Sequence, residues 1–177
     1  LHLNNGTNNI SVLKQIKNPD SPDRNDIFTN AKLSPFAGRI NNGIFQIGNR
    51  QYQLPINYPE ENNSCHGFLF DKSFNVVDTV VTNESASCTL RYDHDGNDIG
   101  FPFSYSVELI YSLDTYGNFV CITKIINNSM QAMPVTDGWH HYFTIGDTIN
   151  DLKLCLEVSE MEELDGRNIP TGRKIPF

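Results

Sequence analysis

Tyr105-Ser106-Val107-Glu108-Leu109-Ile110-Tyr111 and Phe119-Val120-Cys121-Ile122-Thr123-Lys124-Ile125, separated by turn-forming residues between Asp114 and Asn118, decide the fold class. Both arms alternate apolar with polar side chains or are rich in β-branched residues, the pattern of strands with one covered face. They read as a hairpin within residues 103–126. Working outward, residues 43–54 give a second hairpin: Ile44, Phe45 and Ile47, a Gly48-Asn49 turn that needs positive φ, then Tyr52 and Leu54. Residues 10–17, 76–81, 87–92 and 152–158 supply further strand candidates, and the Asn-Pro-Asp-Ser-Pro-Asp run at 18–23 reads as a loop. A strand is also expected after the turn-like Pro170-Thr171-Gly172. No window of a dozen residues carries a 3.6-residue apolar stripe; residues 158–164 come nearest but are too short and too acidic. The expectation is one all-β domain over residues 1–177, most simply a sandwich.

Composition narrows the partners. Thirteen basic residues against 21 acidic ones leave a net charge of −8, so the chain lacks the basic footprint that nucleic acid or an anionic membrane attracts. A mean hydropathy of −0.39 and the absence of an apolar run approaching about 18 residues argue against a spanning helix. Cys65, Cys88, Cys121 and Cys155 stand far apart without a C-x-x-C pair, so neither a zinc ribbon nor a redox dithiol is indicated, and buried thiols are expected. Asn83-Glu84-Ser85 has the form of a glycosylation triplet, but a chain rich in Asn and Ser produces such triplets by chance. No basic, apolar and small-residue succession of a signal peptide follows Leu1, so the original start is read as absent and the compartment stays open, with a cytoplasmic location favoured. The absence of an initiator Met and the stop just beyond residues 170–172 point to an incomplete chain.

The common phosphate-loop, zincin, serine-hydrolase and dinucleotide motifs are absent. Asp93-His94-Asp95-Gly96-Asn97-Asp98 resembles a calcium loop only superficially, because glycine is not at the sixth position and Ser104 stands at the twelfth. It reads as a solvated turn. The histidines are more informative. His66 precedes a glycine after a polar loop, and Gly138-Trp139-His140-His141-Tyr142-Phe143 sets a His pair among aromatic residues. Strand alternation there puts His140 and Tyr142 on one face and His141 and Phe143 on the other, so one histidine faces a site and the other faces packing or solvent. Arg39 lies between Gly38 and Ile40, and its planar five-donor fork suits a bidentate clamp on sugar hydroxyls or a carboxylate.

Ala37-Gly38-Arg39-Ile40-Asn41-Asn42-Gly43, then Gly48, Tyr52-Gln53-Leu54, Asn57 and His66-Gly67, resemble the N-terminal signature of the aldose 1-epimerases, the galactose mutarotases. Phe101-Pro102-Phe103, Tyr111-Ser112-Leu113, Asn127 or Asn128, Gly138–Phe143 and Leu164–Gly172 continue the pattern in unbroken order, and their joint occurrence is more specific than any one block. The resemblance implies a galactose-mutarotase-like β-supersandwich that interconverts the α and β anomers of a free aldohexose, with no cofactor and no metal. It implies His140 as the acid that protonates the ring oxygen, His66 as a histidine hydrogen-bonded to the sugar near the reacting oxygen, and Arg39 as a sugar-binding arginine. Imidazole titrates near neutrality and can donate and recover a proton there. Trp139, Tyr142 and Phe68 are candidates for packing against the C–H face of a monosaccharide.

The family's catalytic glutamate and a sugar-binding aspartate lie towards its C-terminus, and neither motif occurs before Phe177. Glu157, Glu160, Glu162 and Glu163 stand in a different context, so neither role is carried to them. Two alternatives remain: a noncatalytic carbohydrate-binding sandwich, and a hexose-6-phosphate 1-epimerase, for which the basic cluster a phosphate needs is lacking. A purely structural sandwich would leave Arg39, His66 and His140 apart in space. The sequence fixes neither the preferred sugar nor the oligomeric state.

Overall fold

A computed structural model of the chain describes residues 2–4, 6–16, 27–144, 148–150 and 152–177. Every regular element among them is a strand except one short 3-10 turn at Pro59–Glu61, so the all-β expectation holds. The loop expected over residues 18–23 lies outside the described residues. The chain divides into two compact units: Leu1–Asn42, Ile56–Phe70 and Thr136–Phe177 form the first, and Gly43–Pro55 with Asp71–Val135 the second.

The second unit is built on the hairpin read first from the sequence. Tyr105–Asp114 pairs antiparallel with Phe119–Asn127 on one side and Ser85–His94 on the other, and Asn75–Val81 adds at the edge beyond Ser85–His94. Leu109 stands opposite both Thr123 and Leu90. One face of the central strand buries Tyr105, Val107 and Leu109 almost completely. Burying side chains of this size stabilises by about 1.5–3 kcal/mol each. Ser106 points to the other face and is equally buried, which costs little because its hydroxyl is saturated: it donates to Asp93 Oδ1 at 2.6 Å and accepts from Arg91 and Asn128. At the turn the Asp114 carboxylate accepts the backbone N–H groups of Tyr116 and Asn118, while Gly117 supplies the positive φ. The 43–54 hairpin forms as Ile44–Ile47 against Arg50–Gln53, with Phe45 stacked on Tyr52 at 4.9 Å.

Four expectations are corrected. Residues 152–158 form no strand although Leu152, Leu154, Leu156 and Val158 alternate; all four are exposed, and a period-two pattern makes a strand only where a neighbouring backbone pairs with it. Strand structure moves to Glu160–Leu164, which pairs with Pro170–Pro176. Within 10–17 the strand is confined to Asn9–Ser11, paired with His2–Asn4; beyond it the backbone bonds to residues 142–144 through Lys14 N–H to Tyr142 O and Thr144 N–H to Val12 O, and residue 17 lies outside the described residues. Of the cysteines only Cys65 is buried; Cys88 and Cys121 are half-buried and Cys155 is exposed. Finally, the 93–98 segment is a turn only from Asp95 onwards, because Asp93 and His94 end the Ser85–His94 strand and His94 packs 4.7 Å from the Tyr105 ring. Burial there pushes the His94 imidazole below its ordinary range.

Candidate active site

In the first unit, residues 30–41 act as a spine that pairs with two other stretches of chain. Its early part, Lys32–Leu33, pairs antiparallel with Gly138–Trp139, and backbone bonds from His140 N–H to Ala31 O and from Asn30 N–H to His140 O extend the contact. Its later part, Arg39–Asn41, pairs with Asn63–Cys65, with Arg39 opposite Cys65. One short segment therefore carries Arg39 and brings His66 and His140 to itself. A Ser34↔Gly67 bridge and the bond from Phe68 N–H to Ser34 O lock the chain just after His66.

The turn at His66-Gly67 is unusual for its backbone. Both residues have positive φ, 66° and 72°, and a Cβ at Gly67 would lie 2.2 Å from the Ser34 carbonyl oxygen, so only glycine fits. Asn57 fixes the residue before: its side chain accepts the Cys65 N–H at 2.7 Å and donates to the Cys65 carbonyl at 2.8 Å, as a paired strand would. The imidazole of His66 is then set by Gly38. The His66 N–H donates to Gly38 O, and the Gly38 N–H donates back to His66 Nδ1 at 3.2 Å. An Nδ1 that accepts carries no proton, so neutral His66 holds its proton on Nε2.

His66 and His140 meet edge to face, with ring centroids 5.2 Å apart, and Phe28 packs on both at 4.7 and 6.4 Å. Together with Arg39, Tyr58 and Phe70 these residues wall an open cavity of about 290 Å³. Burial, then the neighbouring His140, then Arg39 push the His66 imidazole from 6.5 down to about 4. It is a neutral donor at physiological pH. Cys65, also on the wall, is pushed up to about 11, chiefly by burial, and stays a thiol. The cavity therefore presents a guanidinium, a neutral Nε2–H donor and a second imidazole beside aromatic surface, a set able to bind hydroxyl oxygens and to pass a proton.

Of the residues singled out from the sequence, Arg39, His66 and His140 converge on this cavity. Tyr142 stacks against His140 at 5.1 Å and is partly exposed. Trp139 projects the other way: it stacks on His141 at 5.0 Å, with the Lys32 ammonium 4.8 Å from its ring. Phe68 packs edge-on against Phe36 and does not line the cavity. The alternation read over residues 140–143 thus holds, and it extends one residue back to Trp139. Glu61, whose carboxylate takes the Arg39 Nε–H at 2.7 Å, and the Phe28 wedge were not singled out. One of two adjacent glutamates ahead of an Asn pair and a lone Phe beside a Pro-rich loop carry no pattern that would have marked them. Among the described residues no group of three or more His, Cys, Asp or Glu side chains is arranged to hold a metal ion, and no helix is long and apolar enough to cross a membrane.

The family model described as aldose 1-epimerase matches residues 1–177. The galactose mutarotase of Mus musculus is 32% identical over 148 residues, 80% of this chain and 41% of that protein. The uncharacterized protein YihR of Escherichia coli (strain K12) is 25% identical over 140 residues, 78% of this chain and 44% of that protein. Among solved structures, a galactose mutarotase-like protein from Clostridium acetobutylicum superposes with a TM-score of 0.81 at 24% identity, covering 93% of this chain and 52% of that one. A galactose 1-epimerase from Lactobacillus acidophilus gives 0.77 at 22% identity, covering 95% and 49%. These likenesses show a galactose-mutarotase-like fold, and the chain spans about half the length of the proteins it matches or less.

Proposed function

Because the chain belongs to the aldose 1-epimerase family, we propose that it contributes the ring-oxygen side of a site interconverting the α and β anomers of a free aldohexose of the galactose or glucose type. The observation that carries the reading is the convergence of Arg39, His66 and His140 on one cavity of sugar-compatible size.

The chemistry follows from what each group can do. Protonated His140 gives its proton to the ring oxygen as the C1–O5 bond breaks, the electron pair of that bond passing to O5. The O1 hydroxyl loses its proton to a base, and C1–O1 becomes the carbonyl of the open aldose. Rotation about C1–C2 and closure in reverse deliver the other anomer and return the proton to His140. General acid assistance of this kind contributes typically ~10²–10⁴-fold. His66, held neutral with its proton on Nε2, donates a hydrogen bond to the sugar without competing for the transferred proton. Arg39 binds hydroxyls, and its charge is already balanced by Glu61, which favours a neutral sugar over a phosphorylated one. The O1 base is not assigned to a residue of this chain: the family's glutamate has no matching position in the sequence.

Polarimetry on freshly dissolved α-D-galactose and α-D-glucose tests the reading. Faster decay of optical rotation than in buffer is the expected result. Sugar binding without acceleration would favour a noncatalytic carbohydrate-binding module, and the absence of both would overturn the reading.

A further inference from the structure

Arg39 reaches the cavity from a strand, and its long side chain is held from behind. Its Nε–H donates to Glu61 Oε2 at 2.7 Å, and both side chains are about three-quarters buried, at 24% and 23% exposure. The guanidinium carbon lies 5.5 Å from the centroid of the Tyr58 ring. With Nε engaged and one face on an aromatic ring, the remaining N–H donors are the two terminal nitrogens, neither of which has a protein partner among the described residues. An arginine fork fixed at its stem presents a paired edge in a single direction.

Glu61 is in turn fixed by a segment distant in sequence. Asn63 Nδ2 approaches Oε2 at 3.4 Å and Asn168 Nδ2 approaches Oε1 at 3.5 Å. Arg167 reaches the Glu61 carbonyl at 3.4 Å and donates to the Asn41 side chain at 2.6 Å. The turn carrying Arg167 and Asn168 is itself built: the Asp165 carboxylate accepts the backbone N–H groups of Arg167 and Ile169 at 2.8 and 2.9 Å. A surface ion pair between two long, free side chains contributes little. Here both partners are partly buried and the carboxylate is braced, so the pair sets direction.

We propose that Glu61 is a positioning residue: braced by the Arg167-Asn168 turn, it aims the Arg39 guanidinium at a sugar hydroxyl pair in the cavity. The proposal rests on the sugar-site reading above. It assigns Glu61 no proton transfer and no contact with the sugar. Its effect is to hold Arg39 in one rotamer before the sugar arrives, so that binding does not have to order the side chain.

The test compares Glu61→Ala, Glu61→Gln and Arg39→Ala with the unaltered protein, using calorimetric titration with D-galactose and initial polarimetric rates on α-D-galactose. Glu61→Ala should weaken galactose binding and raise KM by about 10-fold, about 1.4 kcal/mol, while kcat changes by less than about 3-fold. Glu61→Gln, whose amide oxygen still accepts the Nε–H, should recover most of that loss and also serves if the alanine variant does not fold. In the Arg39→Ala background, Glu61→Ala should have no further effect on affinity, because nothing remains to be aimed. An Ala variant that folds and binds galactose like the parent, or additive losses in the double variant, would overturn the proposal. If the parent binds galactose but does not accelerate mutarotation, the epimerase reading falls while the binding comparison still decides the role of Glu61. If the parent binds no sugar, both fall.

Discussion

Acidification from pH 7 to pH 4.5 should cost this protein stability through His66, with the carboxylates held low, Glu108 and Glu163 among them, adding to the loss only towards the acid end of that range. In the unfolded chain the imidazole titrates near 6.5, whereas in the cavity burial, His140 and Arg39 hold it at about 4. Between those values the unfolded chain binds a proton that the native chain refuses, so stability is fully present above pH 6.5 and is lost as the pH falls towards 4. The full difference corresponds to about 3.4 kcal/mol at 1.36 kcal/mol per pH unit. Because His66 is half-buried at an open cavity, solvent screening reduces this to ~2 kcal/mol. The structure also says where the proton would go: onto Nδ1, displacing the Gly38 N–H from its acceptor. His94 and His141 are lowered as well, chiefly by burial, so the protein needs an internal reference. His66→Asn provides one, because Asn tolerates the left-handed backbone at this position and places an oxygen where it can accept the Gly38 N–H. Urea unfolding at pH 7.0 and 4.5 should show the stability gap between the parent and His66→Asn shifting by ~2 kcal/mol against the parent at the lower pH. Equal losses in both proteins, or an NMR titration of His66 with a midpoint near 6.5, would refute the reasoning.

Three further outcomes follow from the geometry. Gly67→Ala should destabilise by ~2–5 kcal/mol in urea unfolding, combining about 1–2 for the left-handed backbone with about 1–3 for overpacking against the Ser34 carbonyl; a loss under ~1 kcal/mol would mean that the Ser34–Gly67 contact yields easily. Asn57→Ala removes both side-chain bonds to the buried Cys65 backbone and should cost ~2–3 kcal/mol by the same measurement. His140→Ala should lower polarimetric turnover by ~10²–10⁴-fold, whereas His141→Ala, whose ring stacks on Trp139 away from the cavity, should keep turnover within about 3-fold and lose stability instead. The reverse pattern would move the acid role to His141.

Much of the fold was legible because strand signals are local. In residues 105–111 the alternation alone marks Tyr105, Val107 and Leu109 as the covered face, and Gly48-Asn49 names its own hairpin. The same signal misled at residues 152–158, where alternating leucines stand exposed, since a strand is completed by a partner the pattern does not contain. The site was legible in part. Gly38-Arg39, His66-Gly67 and His140-His141 drew attention through their neighbours, whereas Glu61 and Phe28 have no distinguishing context and matter only through what lies beside them. Trp139 offers the aromatic surface a sugar needs, but the odd-numbered face it shares with His141 carries it away from the cavity.

By itself the sequence determined the period-two chemistry of the strands, the turns that only glycine or asparagine can make, and the residue types able to hold a sugar and move a proton. Those are properties of a residue and its immediate neighbours. Tertiary structure alone decided that residues 30–41 pair with two distant stretches at once, that Glu61 sits behind Arg39, and that His66 is neutral with its proton on Nε2. Each depends on groups brought to within a few ångströms by long-range pairing, where charge, burial and hydrogen bonding act, and no local pattern encodes those distances.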